Sequence, residues 1–331
     1  MKKIYSLVAV LAATFAANAQ STLPFHDAFD YTVGSPLQTQ TGYAALNSGD
    51  DILVIEGNLS YPNFVTPTGN KINFAGGGID TKHAIETVNS GTVYYSFLVK
   101  VNNVTAATDA NGGYLAGFGE SNTNFGGTFW LKKVDDTNFK FGTEVRTATA
   151  DGTTWTTDNY TVGTTYLVVA SYTFVDGANN DVAKMWINPV LGETTEPTAI
   201  ITDQWTASTD LTSIIQFFFR QDSPAETPDV DIDELRIGTT WSSVTPINST
   251  ASTNENNIEG LKVYPNPASE LVNITSNEIG TKNVAIYDML GKKVLETSTE
   301  ETVNVSTLTS GVYIMNITQD GKKASRKLVI K

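Results

Sequence analysis

A run of acidic residues, DVDIDELRI beginning at Asp229, carries the side chains best suited to chemistry. Alternate residues of a β-strand share a face, so a strand here aligns Asp229, Asp231 and Asp233 with Leu235 and Ile237. The two apolar residues predict the core face, which would place the carboxylates at the buried end of the same row. A buried carboxylate needs a cation or hydrogen-bond donors, because uncompensated burial of a charge is costly.

Three interpretations of this run remain open. Carboxylate oxygens suit Ca²⁺, a hard cation that takes roughly six to eight oxygen ligands. Asp229 and Asp233 on one strand face also match the nucleophile and acid of a retaining glycosidase, whose carboxyl groups stand about 5–5.5 Å apart. Alternatively, the carboxylates limit edge-to-edge strand pairing and cap turns, with no ligand involved.

Two tryptophans are the candidate ligand contacts. Trp155 lies in the polar sequence TTWTT and Trp205 in DQWT, whereas Trp186 lies in an apolar strand pattern. We therefore expect Trp155 and Trp205 to be the more exposed, and an exposed indole offers a flat apolar surface on which a sugar ring can stack. The other strand aromatics are predicted to lie in the core.

Composition excludes several classes of function. The chain of 331 residues has no cysteine and two histidines, and its net charge is −14. Disulfide frameworks, thiolate metal sites and cysteine nucleophiles are therefore excluded, and a histidine-rich zinc site is nearly so. The acidic balance argues against nucleic acid as a partner, because binding its phosphate backbone requires cations.

The first residues have the pattern of a secretory signal peptide. Lys2 and Lys3 precede an apolar run over residues 4–17, and the sequence Ala-Asn-Ala ends at Ala19. This pattern predicts cleavage between Ala19 and Gln20. The run is too short to span a hydrocarbon core of about 30 Å, and no later stretch is long enough, so we expect no transmembrane segment in the mature chain.

The distribution of charge divides the remaining chain in two. Residues 20–246 carry 26 acidic and 10 basic side chains, a net charge of −16, whereas residues 258–331 carry 8 acidic and 9 basic side chains. Residues 247–257 are small and polar, as in a linker. Both flanking regions predict β-structure, the first with strands at residues 93–101, 127–134, 138–145, 165–174, 182–187 and 213–220 separated by Gly- and Asn-rich turns.

The first region resembles the concanavalin A-like, laminin-G-type jelly roll. The resemblance is carried by YLVVASYTF from Tyr166, the following KMWINP, and the acidic run as a closing strand. It implies an all-β sandwich whose first and last strands lie side by side. Asp27 and Asp30 could then approach Asp231 and Asp233 and complete a structural Ca²⁺ site. The family includes glycan-binding modules, adhesion domains and glycosidases, so the fold leaves the function open.

The second region resembles the type A C-terminal sorting domain of the Bacteroidetes type IX secretion system, which implies a small Ig-like β-sandwich. Four motifs carry the resemblance, with Ser310 as a mild departure where several members have proline: Tyr264, Pro265, Asn266 and Pro267; a hairpin with Asp288 and Gly291; Gly311 and Tyr313; and the terminal segment from Lys327 to Lys331.

The resemblance implies a route and its partners. The chain would cross the inner membrane, be recognised by the type IX machinery, and pass through the outer membrane. A sortase would then remove the domain, leaving the cargo released or attached to surface lipopolysaccharide. With the signal peptide, the sequence predicts an extracellular or surface protein whose cargo is a non-catalytic carbohydrate-binding or adhesion module. A polysaccharide hydrolase and a purely structural surface protein remain as alternatives.

Overall fold

The structure, a computed structural model, describes residues 20–146, 152–205, 209–248 and 258–331. The predicted signal peptide and most of the predicted linker lie outside these residues. The described residues form two compact units, which divide after Asn248. Within the described ranges, no helix is both long enough and apolar enough to cross a membrane.

The first unit is built almost entirely of strands, and the six predicted strands are confirmed to within a few residues. Short helices occur at Leu37–Thr39 and Trp241–Val244 (α1). The strands are Phe25–Asp27 (β1), Tyr43–Ala45 (β2), Leu53–Ile55 (β3), Lys71–Phe74 (β4), Thr81–Val88 (β5), Gly91–Asn103 (β6), Gly113–Gly119 (β7), Phe125–Lys133 (β8), Asn138–Arg146 (β9), Thr154–Trp155 (β10), Tyr160–Thr161 (β11), Thr165–Phe174 (β12), Val182–Ile187 (β13), Ile201–Gln204 (β14), Ile214–Phe219 (β15) and Asp229–Gly238 (β16).

These strands form two sheets of a jelly-roll sandwich. Sheet one has the order β14-β13-β12-β6-β16-β4-β3, with β1 also paired to β16. Sheet two has the order β10-β9-β8-β7-β15-β5-β2, with β11 also paired to β9. The first and last strands are neighbours, as the resemblance implies, and Asp27 stands opposite Leu235.

The main core lies between the sheets and is strongly aromatic. Sheet two contributes Phe118, Phe129, Phe141, Phe217 and Phe219, which are fully buried. Their rings meet edge to face, as in the pair Phe97–Phe129 at 5.1 Å between centroids. Large rings bury the most apolar area per residue, so this face is a principal source of the hydrophobic stabilisation of a domain without disulfides.

The outer faces of the two sheets differ. On sheet one a second apolar cluster buries Leu98, Val169 and Trp186 beneath covering segments that carry Phe64 and Trp241. Sheet one is therefore covered on both faces. On sheet two, half-buried side chains of β7 and β8 remain accessible on the outer face.

A β-bulge in β16 corrects the predicted orientation of the acidic run. Val230 and Ile232 are in the main core, as are Leu235 and Ile237, so the inward positions change from even to odd numbers. The register shifts between Asp233 and Arg236, where Glu234 adopts φ = 55°. An extra residue in one strand reverses the alternation beyond it. Asp229, Asp231 and Asp233 therefore do not share a face with Leu235 and Ile237, as the unbroken pattern had predicted.

The second unit is a small two-sheet sandwich with its own core. Its strands are Lys262–Tyr264 (β17), Leu271–Thr275 (β18), Lys282–Tyr287 (β19), Lys293–Thr299 (β20), Thr302–Asn304 (β21), Gly311–Gln319 (β22) and Lys322–Ile330 (β23). The orders are β17-β18-β21 and β20-β19-β22-β23. Val272, Ile286, Met315 and Leu328 are among its buried residues. The predicted small β-sandwich is confirmed.

Asp27 anchors the start of the first unit and should be essential to its stability. Its carboxylate accepts hydrogen bonds from the Phe29 amide and the Tyr31 and Tyr43 hydroxyls at 2.7–2.9 Å. Asp27→Ala leaves these donors without their acceptor, and we expect a loss of about 3 kcal/mol of unfolding free energy. In calorimetry this corresponds to a fall of roughly 5–10 °C in the transition of the first unit.

The matched control is Asp30→Ala, because Asp30 is exposed. This change should alter stability by less than about 0.5 kcal/mol. Equal losses in the two variants would show that the Asp27 hydrogen bonds contribute nothing specific.

Candidate functional site

A groove of about 740 Å³ lies on the outer face of sheet two. Alternation along β8 places Phe129 and Leu131 in the core and directs Trp130 and Lys132 to the opposite face. The groove is lined by aromatic, small and polar residues: Ala110, Asn111, Tyr114, Thr123, Phe125, Trp130, Lys132, Glu144, Gly152, Thr153 and Trp155. A concave, partly apolar surface with a few polar groups is the usual form of a ligand site.

Trp155 occupies one wall of the groove in a fixed orientation. It pairs with Gly142 of β9, where an added Cβ would lie 2.7 Å from the Trp155 Cε3 atom. A Cβ on Gly112 would likewise lie 2.9 Å from its Cη2 atom. Only glycine at these two positions leaves room for the indole. The Lys132 Nζ atom stands 4.4 Å from the ring centroid, within range of a cation–π interaction.

The remaining aromatic rings extend the surface that Trp155 begins. The rings of Trp130 and Trp155 are 6.4 Å apart and nearly perpendicular, and Tyr114 stands 5.1 Å from Trp130. Trp130 Nε1 donates to Thr128 Oγ1 at 2.8 Å, which fixes the indole. Phe125 packs on the buried Phe218 at 4.4 Å. The half-buried rings thus form a supported platform.

Glu144 is the carboxylate that lines the groove within the described ranges. Glu144 is only 4% exposed, and Thr153 Oγ1 donates a hydrogen bond to its Oε1 atom at 2.7 Å. The pKa of Glu144 is raised to about 7, mainly because the carboxyl group is buried. The Thr153 hydrogen bond lowers this pKa, and the negative charge of Asp203 raises it. At neutral pH this carboxyl group is therefore divided between its charged and protonated forms.

The predicted ligand contact at Trp205 is wrong. Residues 201–205 alternate between buried and exposed, so Trp205 shares the inward side of Ile201 and Asp203. Its ring is 3% exposed and belongs to the main core. Polar neighbours on the outward positions of a strand do not expose the inward residue between them.

The predicted calcium ligands are not brought together, and the site does not fit Ca²⁺. Among the residues that the structure describes, no group of three or more acidic or histidine side chains is placed to hold a metal. Asp27 is occupied by two tyrosine hydroxyls, Asp231 by the Lys71 ammonium at 2.9 Å, and Asp30 is exposed. The first and last strands do lie side by side, but Asp27 faces Leu235 rather than an aspartate.

The acidic run instead helps to hold a segment that covers the outer face of sheet one. Asp233 is fully buried, and its Oδ2 atom accepts from the Leu59 amide at 2.8 Å, which ties a covering segment to β16. Burial raises the pKa of Asp233 to about 7. The carboxylates of Asp229 and Asp231 share the Asn73 and Asn102 amides. A glycosidase pair at Asp229 and Asp233 is contradicted, because Asp233 is closed to any substrate.

The predicted sorting residues mostly shape the second unit. The Asn266 side-chain amide donates to the Lys327 carbonyl and accepts from the Val329 amide, so it joins its segment to β23. Pro265 and Pro267 flank it, beside the exposed Tyr264. In the hairpin, Asp288 Oδ1 accepts from the amides of Leu290 and Lys292, and Gly291 has φ = 83°.

Later landmarks of this unit fall on its last two strands. Gly311 begins β22, and the buried Tyr313 donates to the Thr309 carbonyl at 2.7 Å. Lys327 and Lys331 are exposed. Most of these residues therefore form turns or pair strands. The exposed side chains of Tyr264, Lys327 and Lys331 are available to contact a partner.

Tyr114, Trp130, Lys132 and Glu144 were not predicted as site residues. A signal was present in FWLKK, because Lys132 shares the strand face of Trp130 and an outward lysine indicates an outward tryptophan. No comparable signal marks Glu144, whose neighbour Thr153 directly precedes β10, the strand that pairs with β9.

Replacing Glu144 with glutamine should change how stability depends on pH. The folded pKa is about 7 against an ordinary value of 4.5, so the folded state binds the proton more tightly and loses stability as pH rises through that interval. The glutamine variant remains neutral. Its unfolding free energy relative to wild type should therefore rise on the order of 2–3 kcal/mol between pH 4.5 and 8.

Melts at several pH values measure this difference, with the exposed Glu193→Gln as the control that should follow wild type. Parallel curves for wild type and Glu144→Gln would contradict the raised pKa.

Comparison with known proteins identifies the second unit. Residues 262–331 match the family model described as "Secretion system C-terminal sorting domain". Among curated proteins, an ulvan lyase (NLR42) of Nonlabens ulvanivorans is 26% identical over 157 residues, which are 46% of this chain and 26% of that protein. The match thus spans about a quarter of the relative's length.

Solved structures are similar to the chain at low scores. The catalytic domain of a glycoside hydrolase family 131 protein from Coprinopsis cinerea has a TM-score of 0.40 and 13% identity, covering 68% of this chain and 97% of that one. Lectin I-B4 from Griffonia simplicifolia has a TM-score of 0.27 and 8% identity, covering 61% and 94%. Scores of this size assign no function. Residues 262–331, by contrast, are a type IX secretion C-terminal sorting domain, which marks the protein for export to the cell surface or beyond.

Proposed function

We propose that the first unit is a non-catalytic carbohydrate-binding or adhesion module and that the groove on sheet two is its binding surface. The observation that carries this proposal is the platform of half-buried rings formed by Tyr114, Trp130 and Trp155. The C–H face of a pyranose ring is apolar and packs well on an aromatic ring, whereas its hydroxyl groups need polar partners.

The polar lining of the groove is suited to those hydroxyl groups. Asn111, Thr123 and Thr153 line it beside the rings, and their side chains can both donate and accept hydrogen bonds. The rings are held in place before any ligand arrives, since glycines seat Trp155 and Thr128 fixes Trp130. Such preorganisation reduces the entropy lost on binding.

The carboxylates of the groove favour binding over hydrolysis. Most glycosidases use two carboxyl groups, separated by about 5–5.5 Å or about 6.5–9.5 Å according to mechanism. Glu144 is the one carboxylate among the described lining residues, because the nearby Asp203 is buried and does not line the groove. A polysaccharide ligand also accords with the name of the curated relative, an ulvan lyase.

The sorting domain supplies the second part of the proposal. As the sequence resemblance implies, a sortase of the secretion system removes residues 258–331. The first unit is then released or attached to surface lipopolysaccharide, and there it meets its glycan.

Removing the Trp155 ring should abolish most of the proposed binding. We expect Trp155→Ala to weaken the affinity for a bound polysaccharide by about tenfold or more, because stacking and shape are lost together. Isothermal titration on the protein from Gln20 onward, after a glycan array has found ligands, measures this change.

Tyr264→Ala is the matched control, since its ring is 47% exposed and belongs to the other unit. It should bind as wild type does. Equal affinity in wild type and Trp155→Ala would place the glycan elsewhere, and no binding on the array would overturn the module itself.

Glu144 favours a second candidate, a polysaccharide-degrading enzyme. A groove carboxyl group with a pKa of about 7 is suited to proton transfer at neutral pH. If this candidate holds, the purified protein cleaves a bound polysaccharide into shorter chains, and Glu144→Gln loses at least about 100-fold in rate while retaining affinity. Intact polymer after prolonged incubation with wild-type protein would eliminate it.

Deleting residues 258–331 should trap the first unit in the periplasm, because the chain then lacks the sorting signal for passage through the outer membrane. Fractionation of cells that express the full or shortened chain measures the distribution. Normal surface display of the shortened chain would contradict the role of the sorting domain.

A further inference from the structure

Lys132 lies in the groove with no anionic partner among the residues that the structure describes. Its ammonium lies over the Trp155 ring at 4.4 Å, and it makes no ion pair with any carboxylate of the described residues. The neighbouring Lys133 differs, because its ammonium is bound to Asp136 at 2.7 Å. The cation–π contact holds the Lys132 ammonium in position while its N–H groups remain available to a ligand.

This position is significant because the surrounding domain is strongly acidic. Residues 20–246 carry a net charge of −16, and a field of that sign repels anions from most of the surface. Arg220 also lies over an aromatic ring, that of Tyr114, but it is paired with Asp222 and Glu226. Lys132 therefore places in the groove an ammonium that no carboxylate of the described residues neutralises.

Glu144 does not cancel this cation. Lys132 and Glu144 both line the groove, yet they form no ion pair with each other. Burial raises the pKa of Glu144 to about 7, so near neutral pH much of the carboxyl group is protonated and can donate a hydrogen bond. Both ionisable groups of the lining then offer donors, which suits a ligand rich in acceptor oxygens.

We propose that the groove selects glycans that carry an anionic substituent, a carboxylate or a sulfate ester, which Lys132 binds beside the Trp155 ring. The sugar ring stacks on the indole, and its anionic group accepts charge-assisted hydrogen bonds from the ammonium. This inference rests on the proposed function, since it names the substrate class of the same groove.

Pairs of polysaccharides that differ only in charge test the inference. Polygalacturonate is compared with its full methyl ester, and carrageenan with desulfated carrageenan, by titration on the protein from Gln20 onward. We expect at least one charged member to bind tenfold or more tightly than its neutral counterpart, with affinity that falls as salt is raised from low to high. The pair that responds distinguishes a carboxylate from a sulfate.

Variants of the two neighbouring lysines assign the effect to one ammonium. Lys132→Gln should lose at least about tenfold in affinity for the charged member and much of the salt dependence, because it removes charge-assisted hydrogen bonds. Lys132→Arg, which keeps the charge, should retain most of the affinity. Lys133→Gln makes the same change of charge outside the groove and should bind as wild type, and thermal melts verify that each variant is folded.

The results distinguish failure of the anionic preference from failure of the proposed glycan binding. Equal binding of charged and neutral members, or full affinity in Lys132→Gln, would overturn the anionic preference and leave a glycan-binding groove intact. Failure to bind any polysaccharide of the pairs or of the glycan array would overturn both.

Discussion

The candidate site depends on how the inner face of sheet two packs against sheet one. Phe118, Phe129 and Phe217 of sheet two pack against Tyr95 and Phe97 of sheet one in a dense aromatic core. That packing fixes which face of sheet two each strand residue occupies. Because strand residues alternate, burying one row of rings necessarily presents the next row on the opposite face. The core of the sandwich and the platform of the groove are therefore two consequences of one strand pattern.

The two sheets use their outer faces differently, and this explains where the acidic groups act. Sheet one needs its covering segments held in place, and the buried Asp233 does this by accepting the Leu59 amide. Asp27 has a similar role at the first strand. Asp27 and Asp233, which were predicted as ligands for a cation, are thus acceptors for backbone amides and, at Asp27, for tyrosine hydroxyl groups. Sheet two leaves part of its outer face accessible, and the candidate groove lies there.

Local patterns predicted the strands, both sandwiches and the partial exposure of Trp155, since each follows from residues within a short window. The errors have one origin. The orientation of Asp231 and Asp233 depends on a bulge at Glu234, and the burial of Trp205 depends on which side of β14 faces the core. Both are set by pairing with strands distant in sequence. The raised pKa of Glu144 likewise depends on the folded structure, because β10 pairs with β9 beside it and the charge of the distant Asp203 acts on it.

Electrostatics argues that the groove acts by retaining a ligand. In the proposed function, a domain that repels anions over most of its surface gains selectivity, not general affinity, from the Lys132 ammonium, because only a ligand that also stacks on Trp155 reaches it. Beside Glu144, the described lining offers the Lys132 ammonium, aromatic rings, amides and hydroxyl groups. In the function that we propose, the exported module holds a polysaccharide at the place to which its sorting domain delivers it.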